Sequence, residues 1–188
     1  MSIVSDIEKL KKEKNAVILA HYYVDEDVQD IADYIGDSFY LSKVATKVDQ
    51  DRIIFAGVEF MGESAKILNP DKRVFMPDMN ADCPMAHMAD KDEILKLREE
   101  YDDLAVVCYI NSTAELKKYS DVCVTSSNAV KIVKNLPNKN IFFIPDRNLG
   151  HFVAKQCPDK NFIFNNGCCP RHVVITCLLY TSDAADEL

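Results

Sequence analysis

Short apolar runs alternate along this chain with longer segments whose apolar residues recur at helical spacing. Runs of strand length lie at residues 16–20, 53–57, 73–76, 104–109, 122–124, 141–145 and 161–164. Between them, residues 6–14, 27–34, 42–48, 59–68, 91–100, 114–119, 128–136 and 149–156 read as amphipathic or polar helices. Strands alternating with helices predict an α/β fold of small parallel sheets covered on both faces.

The pattern occurs twice. Asp33 lies 88 residues before Asp121, and Ser38 lies 88 before Ser126. Lys43 and Lys131, Ile53 and Ile141, Phe55 and Phe143, Gly62 and Gly150 share that offset. So do Pro70-Asp71-Lys72 and Pro158-Asp159-Lys160. A gap-free series that also aligns strand with strand predicts two copies of one αβα unit, residues 1–88 and 89–176. Beyond the shared Pro-Asp-Lys turn the offset slips to 86, and Cys83 falls opposite Cys169. Residues 177–188 form a third segment. Its first eleven residues resemble the translated adapter of a sequencing library, so it is expected to be non-native.

Position in the repeat suggests where chemistry sits. His21 falls opposite Tyr109, Tyr23 opposite Asn111, and Ser38 opposite Ser126. Each copy therefore offers polar groups after its first strand, a hydroxyl after its second and a thiol near its end. In parallel αβ units, ligands collect beyond the carboxyl ends of strands. Ser38 and Ser126 also stand where helices are expected to start. They read as helix N-caps that can lend a hydroxyl to an anion.

Composition narrows the function. With 30 acidic and 22 basic residues the net charge is −8, which argues against nucleic acid as a partner. No apolar run approaches the ~20 residues that span a bilayer, and a cytoplasmic location is the default expectation. Seven cysteines without a secretory segment are not a disulfide framework. Cys108 and Cys123 lie inside apolar runs and read as strand core, whereas Cys83 and Cys169 lie in loops beside proline. Gly57-Val-Glu-Phe-Met-Gly62 has the glycine spacing of a phosphate loop, but Glu63-Ser64 replaces its Lys-Ser/Thr. No G-x-G-x-x-G is present.

Several motifs carry a specific resemblance. In order they are Ala20-His21-Tyr22-Tyr23, Gly36-Asp37-Ser38, the run from Gly57 to Asn69-Pro70, and the segment from Met79 to Cys83-Pro84. In the second half come Tyr109-Ile110-Asn111, Thr125-Ser126-Ser127-Asn128, Pro145-Asp146-Arg147-Asn148 and Gly167-Cys168-Cys169-Pro170. Together they resemble the quinolinate synthase family over essentially all of residues 1–176. The resemblance implies three αβα domains around a pseudo-threefold axis, of which two are present here. Each would give one cysteine to a 4Fe–4S cluster, with Cys83 and Cys169 matching two ligands. The third cysteine and the family's third-domain His and Glu would lie outside this sequence.

By the same resemblance, the reaction condenses iminoaspartate with dihydroxyacetone phosphate to quinolinate, a precursor of NAD. The cluster's open iron would act as a Lewis acid. L-aspartate oxidase is a candidate imine source. His21, Ser38, Tyr109, Asn111 and Ser126 match substrate-binding positions, and Tyr23 with His21 is the candidate catalytic pair. One rival reading is a metal-free αβα module that binds a small anionic metabolite. Another is a three-repeat cluster protein of the diphthamide-synthesis type.

Overall fold

The computed structural model describes residues 2–175, so the 177–188 tail and Cys177 lie outside the described residues. The described chain falls into two compact units that part between Cys83 and Pro84. Each contains one four-stranded, all-parallel sheet with helices around it.

In the first unit, helix α1 (Ile3–Lys14) leads into β1 (Ala16–His21), followed by α2 (Glu26–Asp30), β2 (Tyr34–Gly36) and α3 (Ser38–Ala45). Then come β3 (Arg52–Ala56), α4 (Glu59–Leu68) and β4 (Arg73–Phe75). The second unit begins with a short 3-10 turn (Pro84–His87) and α5 (Lys91–Glu100). It continues with β5 (Leu104–Tyr109), α6 (Ala114–Lys118), β6 (Val122–Val124), α7 (Ala129–Asn135) and β7 (Asn140–Ile144). It ends with α8 (Arg147–Gln156), β8 (Asn161–Phe164) and α9 (Pro170–Val173). The sheet orders are β2-β1-β3-β4 and β6-β5-β7-β8. All eight strands correspond between units at the offset of 88.

The central strands are buried on both faces. Val17, Ile18, Leu19 and Ala20 of β1 are at most 6% exposed, and Leu104 to Cys108 of β5 at most 7%. In the second unit, alternate residues feed two cores. Val107, Ile141 and Phe143 pack with Val133 of α7 and Val153 of α8. Val106, Phe142 and Ile144 pack with Ile94 of α5 and Leu116 of α6 on the opposite face. Each such side chain contributes about 1.5–3 kcal/mol by leaving water. The first unit is looser on its matching face. No residue of α1 is fully buried. A cavity of about 530 Å³ remains beneath it, lined by Ile7, Leu10, Ile18, Ile31, Ile54 and Phe75.

The repeat extends to hydrogen bonds that no strand ladder supplies. Asp33 Oδ2 accepts the Ile18 N–H at 2.8 Å, and Asp121 Oδ2 accepts the Val106 N–H at 2.7 Å. Each carboxylate also meets a cation, Lys11 at 2.8 Å and Arg98 at 2.9 Å. The Lys72 ammonium donates to the Ala45 and Val48 carbonyls, and Lys160 donates to those of Leu136 and Asn138. Conserved geometry in the two copies explains why Asp33/Asp121 and the two Pro-Asp-Lys turns stand at equal offset.

Two local expectations fail. The helix expected at 27–34 ends at Asp30, and Tyr34–Gly36 is an edge strand parallel to β1. Asp33, beyond the helix end, turns inward to accept the Ile18 N–H of β1. Cys123, expected in the core, is exposed, because β6 is an edge strand.

Replacing Asp121 with Ala leaves the Val106 N–H unpaired inside the sheet. The expected loss is about 1–3 kcal/mol, seen as a Tm drop on the order of 5–10 °C. Asp121→Asn keeps an acceptor and should recover most of that drop in the same melt.

Candidate functional site

Parallel pairing sends every strand of a unit toward the same end. Where the strand order reverses, between β1 and β3 and between β5 and β7, the chains leave in opposite directions and open a crevice at the carboxyl ends. His21 closes β1 and Tyr109 closes β5, each beside that switch point. The large apolar cavity beneath α1 involves other residues and is not this crevice.

In the first unit, His21 and Tyr23 meet. Their ring centroids lie 4.6 Å apart at 68°, an edge-on contact. His21 Nδ1 accepts the Tyr23 backbone N–H at 3.2 Å, which leaves Nε2 as the proton-bearing nitrogen of the neutral ring. Burial lowers the His21 pKa below its ordinary value, opposed by the Asp37 carboxylate. The ring is therefore neutral at pH 7 and can donate from Nε2. Tyr23 itself is 92% exposed. Ser38 follows β2 by two residues, and β2 pairs Gly36 with His21.

The helix-capping expectation needs correction. Asp37 is the N-cap of α3, its carboxylate accepting the Tyr40 N–H at 2.7 Å, and Ser38 is the first helical residue. A carboxylate is a better acceptor for that orphan donor than a hydroxyl. Ser38 Oγ is thus not committed to the cap. In the second unit, Ser126 lies in a turn three residues before α7, whose N-cap is Asn128. Asn128 Oδ1 accepts the Thr125 N–H at 2.7 Å, and the Thr125 and Ser127 hydroxyls bond at 2.9 Å. Ser126 stands exposed at the apex, two residues beyond Val124, which pairs with Tyr109.

Asn111, past the end of β5, is partly buried, and its Oδ1 is shut from solvent without a partner. An unfilled buried amide oxygen costs free energy, so the site has capacity for one more donor. Sequence reasoning missed a similar group, Asn165, at the carboxyl end of β8. It is 4% exposed, donates to the Met88 carbonyl at 2.8 Å and also has an unpartnered Oδ1. Its only sequence signal is an amide just past a predicted strand.

The two cysteine loops are anchored alike. The Glu59 N–H, at the start of α4, donates to the Ala81 carbonyl at 2.8 Å. The Arg147 N–H, at the start of α8, donates to the Gly167 carbonyl at 2.9 Å. Each anchor lies two residues before the cysteine, and each cysteine precedes a proline that opens a helical turn. Gly167 is required at its anchor, since a Cβ there would sit 2.4 Å from the Pro145 carbonyl oxygen. Cys83 and Cys169 are both half-buried, free thiols. Among the described residues no group of three or more His, Cys, Asp or Glu side chains could hold a metal ion. Each thiol is chemically suited to bind a metal as a thiolate, one in each unit.

The His21 ring should titrate with a midpoint below 6.5 in a proton NMR pH series. Asp37→Asn removes the charge that opposes the shift and should move that midpoint lower still. Since the folded ring resists protonation, its contribution to stability is present above the unfolded value and is lost as the pH falls through the window beneath it.

Comparison with known proteins gives the family. The family model described as quinolinate synthetase A protein matches residues 5–180. A quinolinate synthase of Fusobacterium nucleatum is 63% identical over 169 residues, covering 90% of this chain and 57% of that protein. One from Clostridioides difficile is 55% identical over 166 residues, covering 88% and 55%. One from Clostridium perfringens is 55% identical over 175 residues, covering 93% and 58%. The chain thus spans little more than half the length of these relatives, and on the breadth of the match it belongs to the quinolinate synthetase A family.

Proposed function

We propose that this chain supplies two of the three domains of a cytoplasmic quinolinate synthase, divided near residue 88. The enzyme joins iminoaspartate to dihydroxyacetone phosphate, releases phosphate and water, and closes the pyridine ring on the route to NAD. L-aspartate oxidase is the proposed imine source. The observation that carries this reading is the identical anchoring of the loops that hold Cys83 and Cys169. Two thiols placed alike in two copies of one unit suit equivalent ligands of one 4Fe–4S cluster, with a third cysteine supplied by the remaining part of the family's length. When bound, such a cluster with three thiolate ligands supplies a Lewis-acidic iron.

The chain's own residues then have binding and proton-handling roles. Neutral His21 donates from Nε2 to a substrate carboxylate. The Ser38 hydroxyl, free of capping duty, and the exposed Ser126 hydroxyl donate to carboxylate or phosphate oxygens. Asn111 accepts from, and Tyr109 hydrogen-bonds to, the bound substrate, so filling the vacant Oδ1 of Asn111. Tyr23, edge-on to His21, moves the proton. Its exposure suits a group that closes over a ligand as it binds.

Reconstitution tests this in a chain extended to the full length of its relatives. Anaerobic loading with iron and sulfide should give the visible absorbance of a 4Fe–4S cluster, and Cys83→Ser or Cys169→Ser should remove it. A colourless protein that still binds a dicarboxylate in calorimetry would favour a metal-free binding module instead. In the loaded enzyme, Tyr23→Phe should lower kcat by about 10²–10⁴-fold while substrate still binds. Unchanged turnover would exclude the proton-transfer role.

A further inference from the structure

Cys108 and Cys123 have no part in the proposed reaction, yet the fold sets them face to face. In the parallel pair β5–β6 they are direct register partners. Directly paired residues of adjacent parallel strands project to the same side of the sheet. The strands lie ~4.8 Å apart, inside the 4.4–6.8 Å range of Cα separations that a disulfide bridges. The Cys108 thiol donates to the Tyr109 carbonyl at 3.4 Å, which leaves its sulfur lone pairs uncommitted. One thiol of the pair is open to solvent and the other is not: Cys123 is exposed on the edge strand, while Cys108 is completely buried in the central one.

We propose that Cys108 and Cys123 form a reversible disulfide, an oxidation site built into the second unit. Peroxide is the oxidant class. The Cys123 thiolate attacks one peroxide oxygen, the O–O bond breaks, and the departing hydroxide takes up the proton released by that thiol, giving water and a sulfenic acid. The Cys108 sulfur then attacks the Cys123 sulfur. The S–O bond breaks, and the leaving hydroxide takes the Cys108 proton as a second water. Two thiols and one peroxide become one disulfide and two waters. Only Cys123 can meet the oxidant, and Cys108 can react only through Cys123.

The electrostatics agree with this division. The Cys123 pKa is lowered to about 7, first by the neighbouring Cys108 thiol and then by the Lys117 ammonium, against the effect of burial. A thiol with a pKa near ambient pH is well placed for attack. The duplication supplies an internal control. At the offset of 88 the first unit has Ala20 and Ile35, which also pair in register. The fold therefore does not need sulfur at this position, and the pair distinguishes the second unit from the first.

The test uses this chain. After treatment with one equivalent of hydrogen peroxide, thiols are blocked with an alkylating agent in denaturant and mapped by mass spectrometry. The expected result is the loss of two alkylatable thiols, a Cys108–Cys123 cross-linked peptide within single chains, and recovery of both thiols on reduction with dithiothreitol. In Cys123→Ser, Cys108 should stay fully alkylatable. The double variant C108A/C123I carries the first unit's own pair and should keep the far-UV circular dichroism of the parent while showing no link between β5 and β6. Three results would overturn the proposal: oxidation of Cys168 or Cys169 while Cys108 and Cys123 stay free, Cys123 reaching sulfinic acid with Cys108 still a thiol, or a link found only between separate chains.

Discussion

Burial of the two central strand pairs, β1–β3 and β5–β7, is the constraint from which the other features follow. These strands are enclosed on both faces, so a polar side chain within them would lose its water without a replacement partner. Polar chemistry is displaced to where the strands stop. His21, Tyr109 and Asn111 stand at or just past such ends, Ser38 opens the helix after β2, and Ser126, Cys83 and Cys169 lie in the loops after the other edge strands. The same enclosure explains the paired carboxylates Asp33 and Asp121. Each accepts a central-strand N–H that the short edge strand does not reach, and each keeps its remaining charge turned toward a cation at the surface.

Much of this was legible because the sequence states it twice. A single Asp or Lys at a loop is uninformative, but Asp33 with Asp121 and Lys72 with Lys160 reveal positions with a fixed duty. The helices that carry regular apolar spacing, such as Glu59–Leu68 and Lys91–Glu100, were predictable at their observed bounds. The edge strand Tyr34–Gly36 was not, since three residues are too few to show a period and two of them are exposed. Alignment at the offset of 88 with Val122–Val124 contained the missing information. The slip from 88 to 86 is equally physical. It falls in the loops after β4 and β8, where no ladder enforces register, and the anchors at Ala81 and Gly167 restore equivalence beyond it.

Other features depend on geometry that one-dimensional reading does not contain. Whether Ser38 or Asp37 caps α3 turns on a one-residue difference in helix start. The pairing of Cys108 with Cys123 requires the register between strands joined by a helix and a turn. Asn111 and Asn165 look like ordinary loop amides until burial is known, and only then does an unfilled oxygen become informative. Taken together, the candidate residues were visible as types and positions, while their protonation, donor capacity and availability were properties of the folded units.

Helix α1 packs on its sheet through half-covered side chains, unlike α5, whose Ile94 is wholly enclosed. Its detachment would therefore forfeit little apolar contact. Amide hydrogens along α1 should exchange through small local openings rather than through loss of the whole unit. The amino-terminal helix would then be the first element to yield, and the first that a protease could cut, while the β1–β3 ladder beneath it stayed closed.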